Sequence, residues 1–345
     1  MQAGEPGMPK PLKQKEGPNS SPHFQLPSSL SWSTHPTTFR MAQTKNEQQK
    51  KAYEVTLQRL DRIRNHLDSR PRSGRLAGKV AIVTGCGSLA GIGRATALQF
   101  AHEGVKHIYV CDINDDNLPA LKETISQRYP DVQCTAIVSD AADEASVKSI
   151  IDQSLADNGR LDIFFANAAI ATGAPISATD VEDLERTHHI NVTSCFLACK
   201  YASEAMAVTS DSKPESSGSI IMTASVAGIR SGAGSVDYSA SKAAVISLAQ
   251  TTAWQLQRTN IRCNAVCPGL IETGMTLPTF EMARERGTAG KIGQLNPTAR
   301  YGVAAEIAHA VTFLASDEAS YVNGVALPVD GGLAASLPVV PGKFH

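Results

Sequence analysis

What this chain lacks excludes several classes at once. Its charge is balanced, with 32 Lys and Arg against 33 Asp and Glu and a net charge of -1, so no broad positive field is on offer to nucleic acid or an acidic membrane. No apolar run approaches the roughly 18 residues of a membrane span. The start has neither the short apolar core of a secretory signal nor the arginine-rich amphipathic stretch of a transit peptide. A cytosolic protein is expected. Cysteine is scarce as well: seven residues, an odd number, with no C-x-x-C, which excludes a disulfide scaffold. Cys195 and Cys199, like Cys263 and Cys267, stand in apolar surroundings and read as buried core thiols. The adjacent His188 and His189 point to different helix faces, and no metal site is expected. There is no internal repeat.

What is present divides the chain by composition. Hydrophobic residues make up 42% and charged residues 19%, the balance of a globular protein. Residues 1–45 are rich in Pro, Ser, Gln, Lys and Thr and are expected to be disordered, with Met41 a possible start for a shorter chain. Residues 46–73 are an amphipathic helix and linker, carrying Val55, Leu57, Leu60, Ile63 and Leu67 in helical spacing. That helix is expected to pack on the side of the main domain; docking to a partner or a membrane surface is the alternative. Residues 74–335 alternate strand and helix, and 336–345 form a tail. The strands expected at 79–84, 107–112, 134–139, 161–166, 219–224, 261–267 and 325–329 are continuous apolar runs. They predict a seven-stranded parallel sheet covered on both faces, an α/β doubly wound, Rossmann-like fold.

In such a sheet ligands bind at the carboxyl ends of strands. The first strand runs into Thr84-Gly85 and then Gly91-Ile92-Gly93 at the start of a helix, a turn that lets a pyrophosphate approach backbone N–H groups. Asp112 ends the second strand, nineteen residues after Gly93. There a carboxylate accepts from both adenosine ribose hydroxyls and repels a 2′-phosphate, so NAD is favoured over NADP. Arg94 and Lys106 are nearby cations that would soften this. Asp140 and Asn167-Ala168-Ala169, at the next two strand ends, suit the lining of an adenine and its ribose. Farther on, Tyr238 and Lys242 stand at i and i+4 on one helix face. A cation beside a tyrosine stabilises the phenolate and draws its pKa below about 10, which makes Tyr238 a candidate proton donor and acceptor. The spacing by itself equally fits a solvated helix pair.

Taken together, Thr84-Gly85…Gly91-Ile92-Gly93, Asn167-Ala168-Ala169, Asn191, Ser225, Tyr238-x-x-x-Lys242 and Pro268-Gly269 resemble, in order and approximate spacing, the motif series of the short-chain dehydrogenase/reductase family, over about residues 76–333. The resemblance implies an NAD(P)-dependent oxidoreductase interconverting a secondary alcohol and a ketone. Tyr238 would be the general acid and base, Lys242 would lower its pKa and bind the nicotinamide ribose, and Ser225 would hydrogen-bond the reacting oxygen. Asn191 would hold a water relaying protons to Lys242, and Ile271 and Thr273 would hold the carboxamide and a phosphate. It also implies a homo-oligomer. The pattern departs in one place: Gly85 and Gly91 enclose five residues where the family has three, so the loop over the pyrophosphate should be longer. Residues 272–299 mix Met275, Leu277, Phe280 and Met282 with charge and are expected to cover a largely apolar small substrate. The loop 226–236, rich in Gly, Ala and Ser, suggests room beside Ser225. A nucleotide-sugar epimerase or dehydratase, or a non-catalytic dinucleotide-binding regulator, are the alternatives.

Overall fold

The apolar runs become seven strands: β1 (Val80–Thr84), β2 (His107–Asp112), β3 (Gln133–Val138), β4 (Ile163–Ala166), β5 (Gly218–Thr223), β6 (Ile261–Pro268) and, after two short strands β7 (Ile271–Glu272) and β8 (Gly302–Val303) that pair with each other, β9 (Ala326–Val329). The computed structural model describes residues 36–337, with side chains from residue 47. The seven strands form one parallel sheet in the order β3-β2-β1-β4-β5-β6-β9. The order reverses between β1 and β4, where Ile82 pairs with Tyr109 on one side and Phe164 on the other. A crevice opens at such a reversal.

The helices are α1 (Pro36–Arg64), α2 (His66–Ser69), α3 (Ile92–His102), α4 (Leu118–Arg128), α5 (Glu144–Asn158), α6 (Val181–His188), α7 (Ser194–Ala207), α8 (Val236–Gln255), α9 (Leu277–Glu285) and α10 (Ala304–Ala315). The chain separates into two units, 1–47 and 48–345. Of the first, only the opening of α1 is described. α1 starts at Pro36 rather than at residue 46, so residues 36–45, expected to be disordered, are helical. Met41, Ala42, Gln43 and Lys45 are good helix formers, but they carry no apolar stripe, and apolar period was the signal that set the boundary. Residues 1–35 and 338–345 lie outside the described residues.

Alternation along each strand splits the core into two layers. Val80 and Ile82 of β1 point to the side covered by α5, α7 and α8, with Phe164, Ala198 and Val245. Ala81 and Val83 point to the side covered by α3, α4 and α10, with Phe100, Leu121 and Val311. All seven cysteines are buried and unpaired, and Cys199 of α7 faces Cys263 of β6 at 3.9 Å between sulfurs. Local signals fix the helix ends that matter here: Asp143 accepts from Ser146 N–H at 2.8 Å to start α5, and Asp180 accepts from Asp183 N–H at 2.7 Å to start α6. The helix expected after the fourth strand is broken by a π turn, His189–Thr193, between α6 and α7. Among the described residues no helix is long and apolar enough to cross a membrane.

Candidate active site

The carboxyl ends of the central strands open on a cleft of about 700 Å³. Its walls run from Gly85, Gly91 and Ile92, past Asp112, Asp140 and Asn167, to Ser225, Tyr238, Lys242, Ile271 and Thr273. Two expected site residues do not line it, Gly93 and Asn191. Both stand behind the wall and hold it in place.

Gly93 lies in the first turn of α3 directly against the Gly85 carbonyl, and a Cβ there would run into that carbonyl and come within 2.9 Å of Asn167 Nδ2. Gly85 has φ of +71°, the left-handed conformation that glycine adopts without penalty. The lengthened loop between them is pinned rather than loose. Cys86 turns inward and is buried, Gly87 N–H donates to Asp112 Oδ2 at 2.7 Å, and Asn117 Nδ2 donates to the Gly87 carbonyl at 2.8 Å. At its far side Ser88 closes on Gly274, where an added Cβ would meet Ser88 Oγ at 2.7 Å. The two extra residues thus bring the glycine loop against the segment that follows β7. Asp112 also accepts from Asn114 N–H at 3.2 Å. A carboxylate offers about four lone-pair positions, so two remain for a ligand on the cleft side. Arg94 points elsewhere, to the Asn117 carbonyl at 3.3 Å, and does not line the cleft.

Asn167 ties three strand ends together. Its Nδ2 donates to the Thr84 and Gly85 carbonyls at 3.1 and 3.2 Å, and its Oδ1 accepts from Thr223 Oγ1 at 3.0 Å. Thr223 had no signal in the sequence beyond its place at the end of a strand, yet its carbonyl accepts from Lys242 Nζ at 2.7 Å. Asp140 spends one oxygen on Ala142 N–H, at 2.8 Å. Ser225 lies two residues past the end of β5 and caps the short turn Val226–Gly228, its Oγ accepting from Ala227 N–H at 3.1 Å. The glycine-rich loop after it packs on α8 and the chain beyond β9: Gly234 sits so close to the Tyr238 ring that a Cβ would lie 2.9 Å from Cδ1, and Arg230 donates to the Ser336 carbonyl at 2.7 Å.

Tyr238 and Lys242 occupy one face of α8, with the ammonium 5.5 Å from the centre of the phenol ring. The expected drop in the tyrosine pKa is not realised. Burial raises it, with the nearby Ser225 side chain pulling it partly back. Burial likewise drives Lys242, fully enclosed, from 10.5 down to about 8. The ammonium donates to the Thr223 carbonyl at 2.7 Å, and at both groups burial sets the direction of the shift.

Asn191 sits in the π turn, a feature frequent at functional sites. Its amide is fully engaged: Oδ1 accepts from Ile170 N–H at 2.8 Å, and Nδ2 donates to the Ile170 carbonyl and to Ser241 Oγ, each at 3.0 Å. Ser241 Oγ in turn donates to the Tyr238 carbonyl at 2.8 Å. Asn191 therefore joins the loop after β4 to the turn of α8 that carries Tyr238 and Lys242. Asp237, missed in the sequence, does the same from the other side. It is buried and accepts from Thr172 Oγ1 at 2.9 Å and Thr187 Oγ1 at 2.8 Å. Burial would raise its pKa, but hydrogen bonds, those from Thr187 and Thr172 among them, prevail and hold it at about 2.

These residues fit a dinucleotide. The glycine turn opens a helix N-terminus, its glycines at 85 and 93 let the turn, α3 and Asn167 close on one another, and the cleft has the size and mixed lining of a cofactor site. Comparison with known proteins agrees. The family model described as enoyl-(acyl carrier protein) reductase matches residues 85–334. Levodione reductase of Leifsonia aquatica is 35% identical over 266 residues, 76% of this chain and 96% of the relative. A crystal structure of levodione reductase superposes with a TM-score of 0.69, covering 76% of this chain and 100% of its own. The (+)-borneol dehydrogenase 1 of Salvia officinalis is 36% identical, over 77% of this chain and 97% of that protein. With a seven-stranded sheet, a glycine turn and a Tyr-x-x-x-Lys helix converging on one cleft, and relatives of this kind along the whole domain, the chain belongs to the short-chain dehydrogenase/reductase family and is an NAD(P)-dependent oxidoreductase.

Proposed function

We propose that this enzyme interconverts a secondary alcohol and a ketone on a small, largely apolar substrate, with Tyr238 as general acid and base. The carrying observation is the convergence of Tyr238, Lys242 and Ser225 on one wall of the cleft that the glycine turn closes at its other end. The bound nicotinamide supplies hydride exchange at the carbinol carbon. In the reducing direction Tyr238 gives its proton to the carbonyl oxygen, a proton that a phenol with a pKa of about 10 already holds at neutral pH. Ser225 hydrogen-bonds the same oxygen as charge gathers there. The Lys242 ammonium, beside the ring, stabilises the phenolate left behind. Asn191, Ser241 and Asp237 keep the helix turn in register. Alcohol oxidation needs the phenolate, so its rate rises with pH while ketone reduction falls at alkaline pH.

NAD is the preferred cofactor in this reading, because Asp112 faces the cleft and Arg94 does not. Ile271 and Thr273, on the opposite wall, hold the nicotinamide end. Exposed Met275, Leu277, Met282 and Leu295 on the segment after β7 support an apolar substrate. The outer faces of α7 and α8 leave Phe196 and Trp254 exposed, which favours a homo-oligomer joined there, and seven free cysteines suit a reducing, cytosolic setting. The test is a panel of ketones and secondary alcohols with NADH and NADPH, repeated with Tyr238→Phe. Turnover should fall by about a hundred- to ten-thousandfold while NADH affinity stays within about threefold of the parent. Equal turnover in both forms would sink the mechanism.

A further inference from the structure

The family match begins at Gly85, yet the helix before it packs against the stretch of chain that leads out of the cleft. Leu60 of α1 is fully buried, in a small apolar cluster of its own with Phe280 of α9, Tyr301 and Val303. Ile63 packs at its margin with Leu270 and Ile292. Phe280 and Tyr301 meet edge to face at 4.8 Å between ring centres. One turn on, Arg64 pairs with the Glu272 carboxylate, whose other oxygen is taken by Arg284 of α9. Near the other end of the described side chains, the Tyr53 ring lies against Gly290, where an added Cβ would be 3.5 Å from it. Every one of these partners belongs to residues 270–303, the stretch that passes from Ile271 and Thr273 in the cleft out through α9 and back to β8.

The helix is anchored at its far end. His66 of α2 is hydrogen-bonded to Gln99 of α3 at 2.7 Å, and its ring packs on His309 of α10 at 4.2 Å. Arg72 donates to the His102 carbonyl at 2.9 Å and to both Asp131 oxygens at 2.7 and 2.8 Å. From His66 back to Tyr53 the helical rise spans roughly 20 Å, with the core fold gripping one end and the substrate segment resting on the other. The segment is also tied to the core fold at its two ends, where Ser88 packs on Gly274, Thr298 N–H donates to the Gly331 carbonyl at 3.2 Å and Arg300 pairs with Glu306 at 2.7 Å; between them α9 buries only Phe280, and that side chain is buried against the α1 cluster.

We propose that residues 48–69 are a strut beneath the substrate-covering segment 272–300, with Leu60 and Arg64 as positioning residues that hold the segment over the cleft and thereby set substrate KM. The role of the segment as a cover rests on the function proposed above. The strut acts only through it: among the described side chains none of α1 lines the cleft. Loosening the strut frees the cover from one side, which weakens substrate capture without moving Tyr238, Lys242 or the glycine turn.

The experiment uses the full chain with Leu60→Ala, Arg64→Gln and Arg64→Lys. Trypsin cleavage after Arg284, Arg286 and Lys291 is followed by mass in the presence of NADH. Steady-state rates are measured with NADH and whichever ketone the panel identifies. Leu60→Ala should speed these cleavages about tenfold and raise ketone KM by about five- to tenfold, with kcat and NADH affinity within about twofold. Arg64→Gln should move both in the same direction by about threefold, and Arg64→Lys should restore most of the change. Should Leu60→Ala lose its fold by circular dichroism, the exposed Arg64 variants carry the decision. Parental cleavage rates and KM in Arg64→Gln and a folded Leu60→Ala would overturn the strut, as would an equal loss of kcat and NADH affinity. Absence of turnover with every ketone would count against the proposed function alone, and the cleavage rates would still decide the strut.

Discussion

Two lysines are buried in this protein at opposite ends of one sheet. Lys242 lies at the carboxyl end, where its ammonium donates to the Thr223 carbonyl; Lys213 lies at the amino end, where its ammonium donates to the carbonyls of Leu161 and Met206 at 2.8 and 2.7 Å. Burial drives both from 10.5 to about 8, and at Lys213 the nearby Asp162 opposes it. The surroundings differ. Lys242 stands beside a tyrosine on the wall of a cleft floored by a glycine turn and a helix N-terminus. The amino end has a hollow of similar size, about 760 Å³, where Lys79 pairs with Asp317 at 2.8 Å and Asp162 with the adjoining Arg160 at 2.8 Å, and where, among the described residues, no tyrosine stands beside the lysine as Tyr238 stands beside Lys242. Lys213 closes off backbone carbonyls there. A perturbed pKa accordingly marks buried charge, and only its placement among groups that can share a proton marks chemistry.

The contrast can be broken by substituting both. Lys242→Met should lower turnover by about a hundredfold or more, whereas Lys213→Met should leave it within about twofold; comparable losses in steady-state assays would remove the distinction. Next in size is a carboxylate of the amino end. Burial of Glu103 would raise its pKa, but hydrogen bonds from Arg75 and Ser73 outweigh this and hold it at about 2, against 4.5 ordinarily. Its stabilisation is thus fully present above pH 4.5 and is lost as pH falls through 2. Glu103→Gln should cost roughly 3 kcal/mol at pH 7 in urea denaturation, with turnover at 25 °C unchanged.

At the other end of the sheet the corresponding carboxylate, Asp112, lines the cleft. Asp112→Asn should reduce the preference for NADH over NADPH by about tenfold, the worth of one or two charged hydrogen bonds; an unchanged ratio of kcat/KM would show that Asp112 serves only the Gly87 loop. The smallest effect is common to both lysines. Each gives up in the fold a proton that the unfolded chain keeps between about pH 8 and 10.5, so the cost of the buried charge is full below pH 8 and fades above it. Replacing either by Met should reduce the rise of stability with pH in that window by up to about 1.4 kcal/mol per pH unit.

Much of this is legible in the order of residues alone. The continuous apolar runs at β1, β2 and β4 read as strands covered on both faces, and with right-handed crossovers helices reach both faces only if the strand order reverses. Gly85, Gly91 and Gly93 announce themselves because only glycine tolerates those contacts. Tyr238 and Lys242 share a face through helical period alone. Other features had no local signal. Thr223 and Asp237 acquire their roles from partners far along the chain, Asn167 and Lys242 for one, Thr172 and Thr187 for the other. The tyrosine pKa could not be read from spacing either, because desolvation depends on what encloses the ring.

The sequence by itself determined the layers of the fold, the position of the glycine turn and the placement of Tyr238 and Lys242 on one helix face, since period, glycine and strand-end placement are properties of short stretches. Only the tertiary structure decided that the lengthened loop is pinned to Asp112, that Asn191 braces the active-site helix, and that the helix before the family domain seats Leu60 under the substrate segment. Those outcomes depend on which distant groups meet, and burial and hydrogen-bond geometry at those meetings are set by packing of the whole sheet and its helices.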